Sequence, residues 1–107
     1  MRMPGDVALH YLDEGDPKGA PVVFLHAMGT DLHLWDRVLP LLPAGLRLIR
    51  VDLRGHGQSP CPEGDYFMGD LVADVAAVLD RLKLRDAVVV GMSMGGMIAQ
   101  GLAAERL

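Results

Sequence analysis

The chain has a single cysteine, Cys61, set between two prolines, so it can build neither a disulfide framework nor a cysteine-based zinc site, and a reducing, cytoplasmic setting is expected. It has no basic cluster, and its net charge is -4, which argues against nucleic acid or an anionic membrane as partner. The first six residues lack the apolar core of a signal peptide, and no apolar run approaches the ~20 residues of a membrane span. What remains is a soluble protein acting on a small molecule, with no metal or cofactor expected. At 107 residues, half of them hydrophobic, the chain forms one domain at most. A domain of that size buries roughly 60–65% of its unfolded surface.

The most informative stretch is Ala87-Val88-Val89-Val90-Gly91-Met92-Ser93-Met94-Gly95-Gly96. Its unbroken apolar run suits a parallel strand covered on both faces, and the residues from Met94 onward are rich in helix formers. Ser93 therefore falls at a strand-to-helix turn. Gly91-Met92-Ser93-Met94-Gly95 matches G-x-S-x-G, in which the serine takes a strained conformation and the flanking glycines allow close chain crossing. The same turn puts the Met94 N–H at a helix start, where backbone donors favour an oxyanion. The turn has no lysine and no G-x-G-x-x-G, so neither a Walker-type phosphate loop nor a dinucleotide fingerprint is present. A structural serine in a packing turn is the bland alternative.

Upstream, Val7 to Leu12 reads as a short strand containing His10, and residues 13–19 as a Gly, Asp and Pro turn. Pro21 to Leu25 reads as a buried strand ending in the loop His26-Ala27-Met28-Gly29-Thr30. Leu32, Leu34, Trp35, Val38, Leu39 and Leu42 predict an amphipathic helix capped by Asp31 and stopped by Pro43. Leu46 to Leu53 is a third strand, followed by an irregular loop from Arg54 to Pro60. Leu71, Val75, Val78, Leu79 and Leu82 form a helical stripe, with Asp70, Asp74, Asp80 and Arg81 expected on its wet side. That helix has a poorly specified start around Phe67 and Gly69, where fraying is expected. The final segment, from Met94, carries small residues that let a helix approach the sheet closely. The alternation of strands and helices predicts a mostly parallel sheet with right-handed crossovers, its loops at one edge, where open sheets bind ligands.

Three collinear motifs at that edge resemble the N-terminal half of an α/β-hydrolase. His26-Ala27-Met28-Gly29 resembles the family's His-Gly-x-Gly oxyanion loop, with Ala27 in place of the usual glycine; Asp52 to Ser59 resembles its D-x-R-G-x-G-x-S loop; and Ser93 falls at the nucleophile position. The run from Met28 to Asp36, together with Gly91 to Ile98, is similar to 3-oxoadipate enol-lactonases of the β-ketoadipate pathway of aromatic degradation. The resemblance implies a partial core domain over residues 1–107, holding family strands in the spatial order 2-4-3-5, with the C-terminal half and the cap absent. It also implies an acid and a base histidine after the serine in chain order. The histidines here, at 10, 26, 33 and 56, all precede Ser93.

The implied function is hydrolysis of a carboxylic ester or lactone, most specifically 3-oxoadipate enol-lactone. Ser93 would be the nucleophile, and the Met28 and Met94 backbone N–H groups the oxyanion hole. Ala27 and Trp35 are candidate substrate contacts, although helical spacing favours Trp35 as core. His26 and His56 read as loop-shaping residues, His33 and Asp36 as surface or cap groups, and Asp52 with Arg54 as a hydrogen-bonded pair within their loop. A generic esterase, a cofactor-free haloperoxidase-like enzyme and a non-catalytic fragment that binds or assembles are the alternatives. A dehalogenase is disfavoured, because serine rather than aspartate holds the nucleophile position. Residues 1–107 alone are expected to be inactive and to self-associate through an exposed sheet edge.

Overall fold

β-branched and leucine side chains at alternating depth build the sheet, and a computed structural model, which describes residues 7–105, fixes its order. Strands β1 (Tyr11–Gly15), β2 (Ala20–Leu25) and β3 (Leu46–Val51) are followed by helix α1 (Met68–Arg81), strand β4 (Val88–Gly91) and helix α2 (Met94–Glu105). The spatial order is β1-β3-β2-β4, with β1 antiparallel to β3 and the other pairs parallel. This is the expected mostly parallel order, 2-4-3-5 in the family's own strand count. In β2 the alternation is complete. Val23 and Leu25 face a core shared with Ile49, Val51, Val75, Val78 and Ile98, while Val22 and Phe24 face Trp35 on the other side. Such two-sided burial is what makes the strand read as a continuous apolar run. Among the described residues β4 pairs on one side only, and Val88 is 59% exposed. No helix of the described residues is long and apolar enough to cross a membrane.

Three expectations need correction. The first strand lies later than its apolar residues suggest, at Tyr11–Gly15 rather than from Val7 to Leu12. Its acidic residues are held there by diagonal cross-strand pairs, Asp13 with Arg47 and Glu14 with Arg50. Val7 and Leu9 still bury their side chains in the core. The amphipathic helix from Leu32 to Leu42 is instead two short 3-10 turns, Leu32–Trp35 and Leu39–Leu41. Pro40 explains this: it has no N–H for the Asp36 carbonyl and its ring excludes that carbonyl, so a continuous α-helix cannot pass through it. Asp31 does cap the first turn, accepting the His33 N–H at 2.9 Å. At the start of α1 Phe67 supplies no side-chain cap, as expected, and the Asp70 carboxylate accepts its N–H at 3.0 Å.

The third correction concerns Asp74, which is 1% exposed rather than on the wet side of α1. Its two oxygens accept from Arg54 Nε and Nη2, both at 2.8 Å, and the guanidinium also stacks 5.0 Å from the Tyr66 ring centroid. The Asp74 hydrogen bonds raise the Arg54 pKa above its ordinary value. Arg54 is thus tied to α1 and not to Asp52. Removing one member of a buried, bidentate pair strands the other's charge. Asp74→Ala should therefore destabilise the protein by about 3–5 kcal/mol, measured as the shift in urea unfolding free energy at pH 7.

Candidate active site

At the end of β4 the chain turns sharply into α2, and Ser93 at the apex has φ 55°, exposed, in the left-handed region that a non-glycine residue enters at a cost of about 1–3 kcal/mol. The neighbours impose the turn. A Cβ at Gly91 would overlap the Gly95 backbone, and a Cβ at Gly95 would overlap the Leu25 and His26 carbonyls. The Met92 N–H donates to the Leu25 carbonyl at 3.1 Å, which extends the β2–β4 pairing up to the serine. Met94 opens α2, so its N–H lies in the first turn, which has no intrahelical acceptors. The turn thus presents a hydroxyl and a helix-terminal donor together at the carboxyl edge of the parallel strands.

Against it sits the loop that leaves β2. The Thr30 N–H donates to the Ala27 carbonyl at 3.2 Å, and Gly29, third in this four-residue turn, has φ 80°. With Met28 at negative φ, this is a type II turn, whose third position calls for glycine. Met28 is 70% exposed at its tip. The His26 ring lies fully buried beneath it. Its Nε2 accepts the Leu53 N–H at 2.9 Å, so the ring proton sits on Nδ1, which donates to the Ala27 carbonyl at 2.8 Å. His56 repeats the arrangement. Its Nε2 accepts the Gly29 N–H at 3.0 Å and its Nδ1 donates to the Arg54 carbonyl at 2.9 Å. The two rings are tilted 5.0 Å apart and staple the loop after β2 to the loop after β3.

That second loop is organised by Asp52, which is 2% exposed. Its Oδ1 accepts the Leu32 N–H at 2.8 Å, its Oδ2 the Gln58 N–H at 3.0 Å, and its carbonyl the Ser59 hydroxyl at 2.5 Å. A Cβ at Gly57, whose φ is 52°, would overlap the Asp52 carboxylate. The predicted Asp52–Arg54 pair is therefore absent; Asp52 instead binds backbone donors from both sides.

The structure brings Ser93, Met94, Ala27 and Met28 to one edge, because the Ser93 turn packs on Leu25 and His26. It does not bring Trp35 there. That ring is buried against Phe24, centroids 5.2 Å apart, in the core on the far side of the sheet. His33 and Asp36 form an exposed pair at 3.2 Å. The ring hydrogen bonds of His26, His33 and His56 go to Ala27, Leu53, Asp36, Arg54 and Gly29, none to Ser93. The sequence reading missed Thr30, whose hydroxyl donates to the Ala27 carbonyl at 2.6 Å. The signal available for it was a hydroxyl residue closing a glycine-containing turn.

An open, mostly parallel sheet with a strained, exposed serine at a strand-to-helix turn defines an α/β protein whose site lies beyond its strand ends. The chain belongs to the α/β-hydrolase fold family, whose model matches residues 20–106. It is 38% identical over 98 residues to 3-oxoadipate enol-lactonase 2 of Acinetobacter baylyi, covering 92% of this chain and 37% of that protein. It is also 38% identical over 101 residues to a haloalkane dehalogenase of Mesorhizobium japonicum, covering 94% of this chain and 32% of that protein. The crystal structure of the enol-lactonase from Burkholderia xenovorans LB400 superposes with a TM-score of 0.86 at 39% identity, over 94% of this chain and 39% of that one. The chain thus spans well under half the length of these relatives.

The His26 geometry makes a pH prediction. Burial, foremost, lowers its pKa below the ordinary histidine value; the nearby His56 ring acts the same way, and the Ala27 carbonyl, Asp52 and Asp31 oppose it. A depressed histidine pKa means that the unfolded chain binds more protons. The stabilisation is therefore complete above about pH 6.5 and is lost as pH falls from there through the lower folded value. The melting temperature should drop between pH 7 and 5 by more in the wild type than in His26→Asn, as followed by circular dichroism.

Proposed function

We propose that this chain carries the nucleophile and the oxyanion hole of a serine-dependent carboxylic-ester hydrolase, with an enol-lactone such as 3-oxoadipate enol-lactone as substrate. The observation that carries this reading is Ser93 held exposed at φ 55° directly before the first N–H of α2. The serine Oγ gives its proton to a base as it bonds to the lactone carbonyl carbon. The ring C–O bond then breaks and the enol oxygen leaves with a proton, giving an acyl-serine that water hydrolyses. The Met94 and Met28 N–H groups would meet the tetrahedral oxyanion, each worth about 3–4 kcal/mol of barrier by the scale of single-donor deletions.

The base is neither His26 nor His56, since both rings spend their two nitrogens on backbone partners. The reading assigns it to a histidine outside residues 7–105, in keeping with the family's chain order of serine, acid, histidine. The substrate class rests on the enol-lactonase relatives and on the run from Met28 to Asp36. Serine at the nucleophile position speaks against the chemistry of the dehalogenase relative. The same reading puts the protein in aromatic degradation through the β-ketoadipate pathway, in the cytoplasm.

In the complete translated reading frame, Ser93→Ala should lower kcat for enol-lactone by at least ~10³-fold, with the melting temperature nearly unchanged, because a small residue replaces a small one at an exposed turn. Residual turnover above about a tenth of wild type would overturn the nucleophile assignment. Equal turnover of simple esters with none of enol-lactone would overturn the substrate.

A further inference from the structure

We propose that Thr30 and His56 are positioning residues that aim the Met28 N–H at the oxyanion, an inference that rests on Met28 serving as one of the two donors. The Met28 N–H shares a peptide with the Ala27 carbonyl, and in a planar trans peptide the two point in opposite directions. Whatever holds the Ala27 oxygen therefore aims the Met28 N–H. Three donors hold it: His26 Nδ1 at 2.8 Å, the Thr30 hydroxyl at 2.6 Å and the Thr30 N–H at 3.2 Å. Two of the three come from Thr30.

The next peptide, Met28–Gly29, is the one whose half-turn flip separates a type II turn from a type I turn. Its N–H is held by His56 Nε2 at 3.0 Å. The His56 ring is fixed in turn by its Nδ1–H on the Arg54 carbonyl, and Arg54 is anchored to the core by the buried Asp74. Among the described residues, the titratable ring against His56 is that of His26, 5.0 Å away and itself engaged at both nitrogens.

Packing does not do this work. Met28 is 70% exposed, and a Cβ placed on Gly29 would meet nothing within 4 Å. At the tip of the turn, hydrogen bonds are what set the direction of the donor. Their loss should leave substrate able to bind but the oxyanion poorly met, which lowers kcat and spares KM.

The test compares Thr30→Val, which keeps the shape and removes the hydroxyl, with Thr30→Ser, which restores it, in the complete reading frame. Thr30→Val should lower kcat about 10- to 100-fold with KM within about twofold, weaken inhibition by a boronic acid transition-state analogue in parallel, and be largely rescued in Thr30→Ser. An unchanged kcat, a change confined to KM, or equal loss in Thr30→Ser would overturn the proposal. Ser93→Ala, run alongside, separates the two levels: if it is inactive while Thr30→Val is unimpaired, the positioning role fails and the nucleophile stands, whereas if it is active the underlying reading fails. Should Thr30→Val not fold, His56→Leu against His56→Gln, which keeps an acceptor and a donor, carries the same comparison with the same expected loss and rescue.

Discussion

The contact on which the rest of the structure depends is the approach of α2 to the end of β2. At Gly95 the helix backbone lies so close to the Leu25 and His26 carbonyls that no side-chain carbon fits, and Gly91 is equally close to Gly95. β4 pairs with β2 up to Leu25, so the chain must reverse from strand to helix within Met92 and Ser93. The left-handed φ of Ser93 is what that reversal requires, and packing of α2 against β2, β4 and α1 holds it. The strain at the serine is thus sustained by the burial of Ile98 and Leu102 in the same core as Val23, Leu25 and Val75.

A second constraint is polar. Asp52 and His26 are buried in loops, where an unpartnered group would cost about 1–3 kcal/mol and a charge more. Each is satisfied by backbone. Asp52 accepts N–H groups from Leu32 and Gln58, and His26 bridges Leu53 and Ala27. These bonds cross between the segment after β2 and the loop after β3, so that the two hold each other in place. The ion pair of Arg54 and Asp74 ties the same loops to α1.

Periodicity and glycine placement made the strands, the loop after β2 and the serine turn legible in the sequence, because each depends on local sterics: apolar runs at β2 and β4, Gly29 after Met28, Gly91 and Gly95 around Ser93; the sheet order followed from the family resemblance. What was not legible depends on partners distant in the chain. Asp74 looks like a wet-face residue by its spacing in α1, and only Arg54, twenty residues earlier, makes its burial tolerable. Asp13 and Glu14 look like turn residues until Arg47 and Arg50 stand on the neighbouring strand. The apolar spacing from Leu32 to Leu42 outweighed Pro40 in the sequence reading, although the missing N–H decides the local structure. The Trp35 ring is core, while the Thr30 hydroxyl donates to the Ala27 carbonyl within its own turn.

The proposed function stands or falls with Ser93 acting as a nucleophile rather than a packing residue. The most direct measurement is reaction of the protein from the complete reading frame with a fluorophosphonate probe, followed by tryptic mass spectrometry of the adduct. Stoichiometric labelling on Ser93, abolished by prior denaturation, is the expected result. A folded protein that stays unlabelled, or that carries the phosphonyl group on another serine while Ser93 remains free, would contradict it.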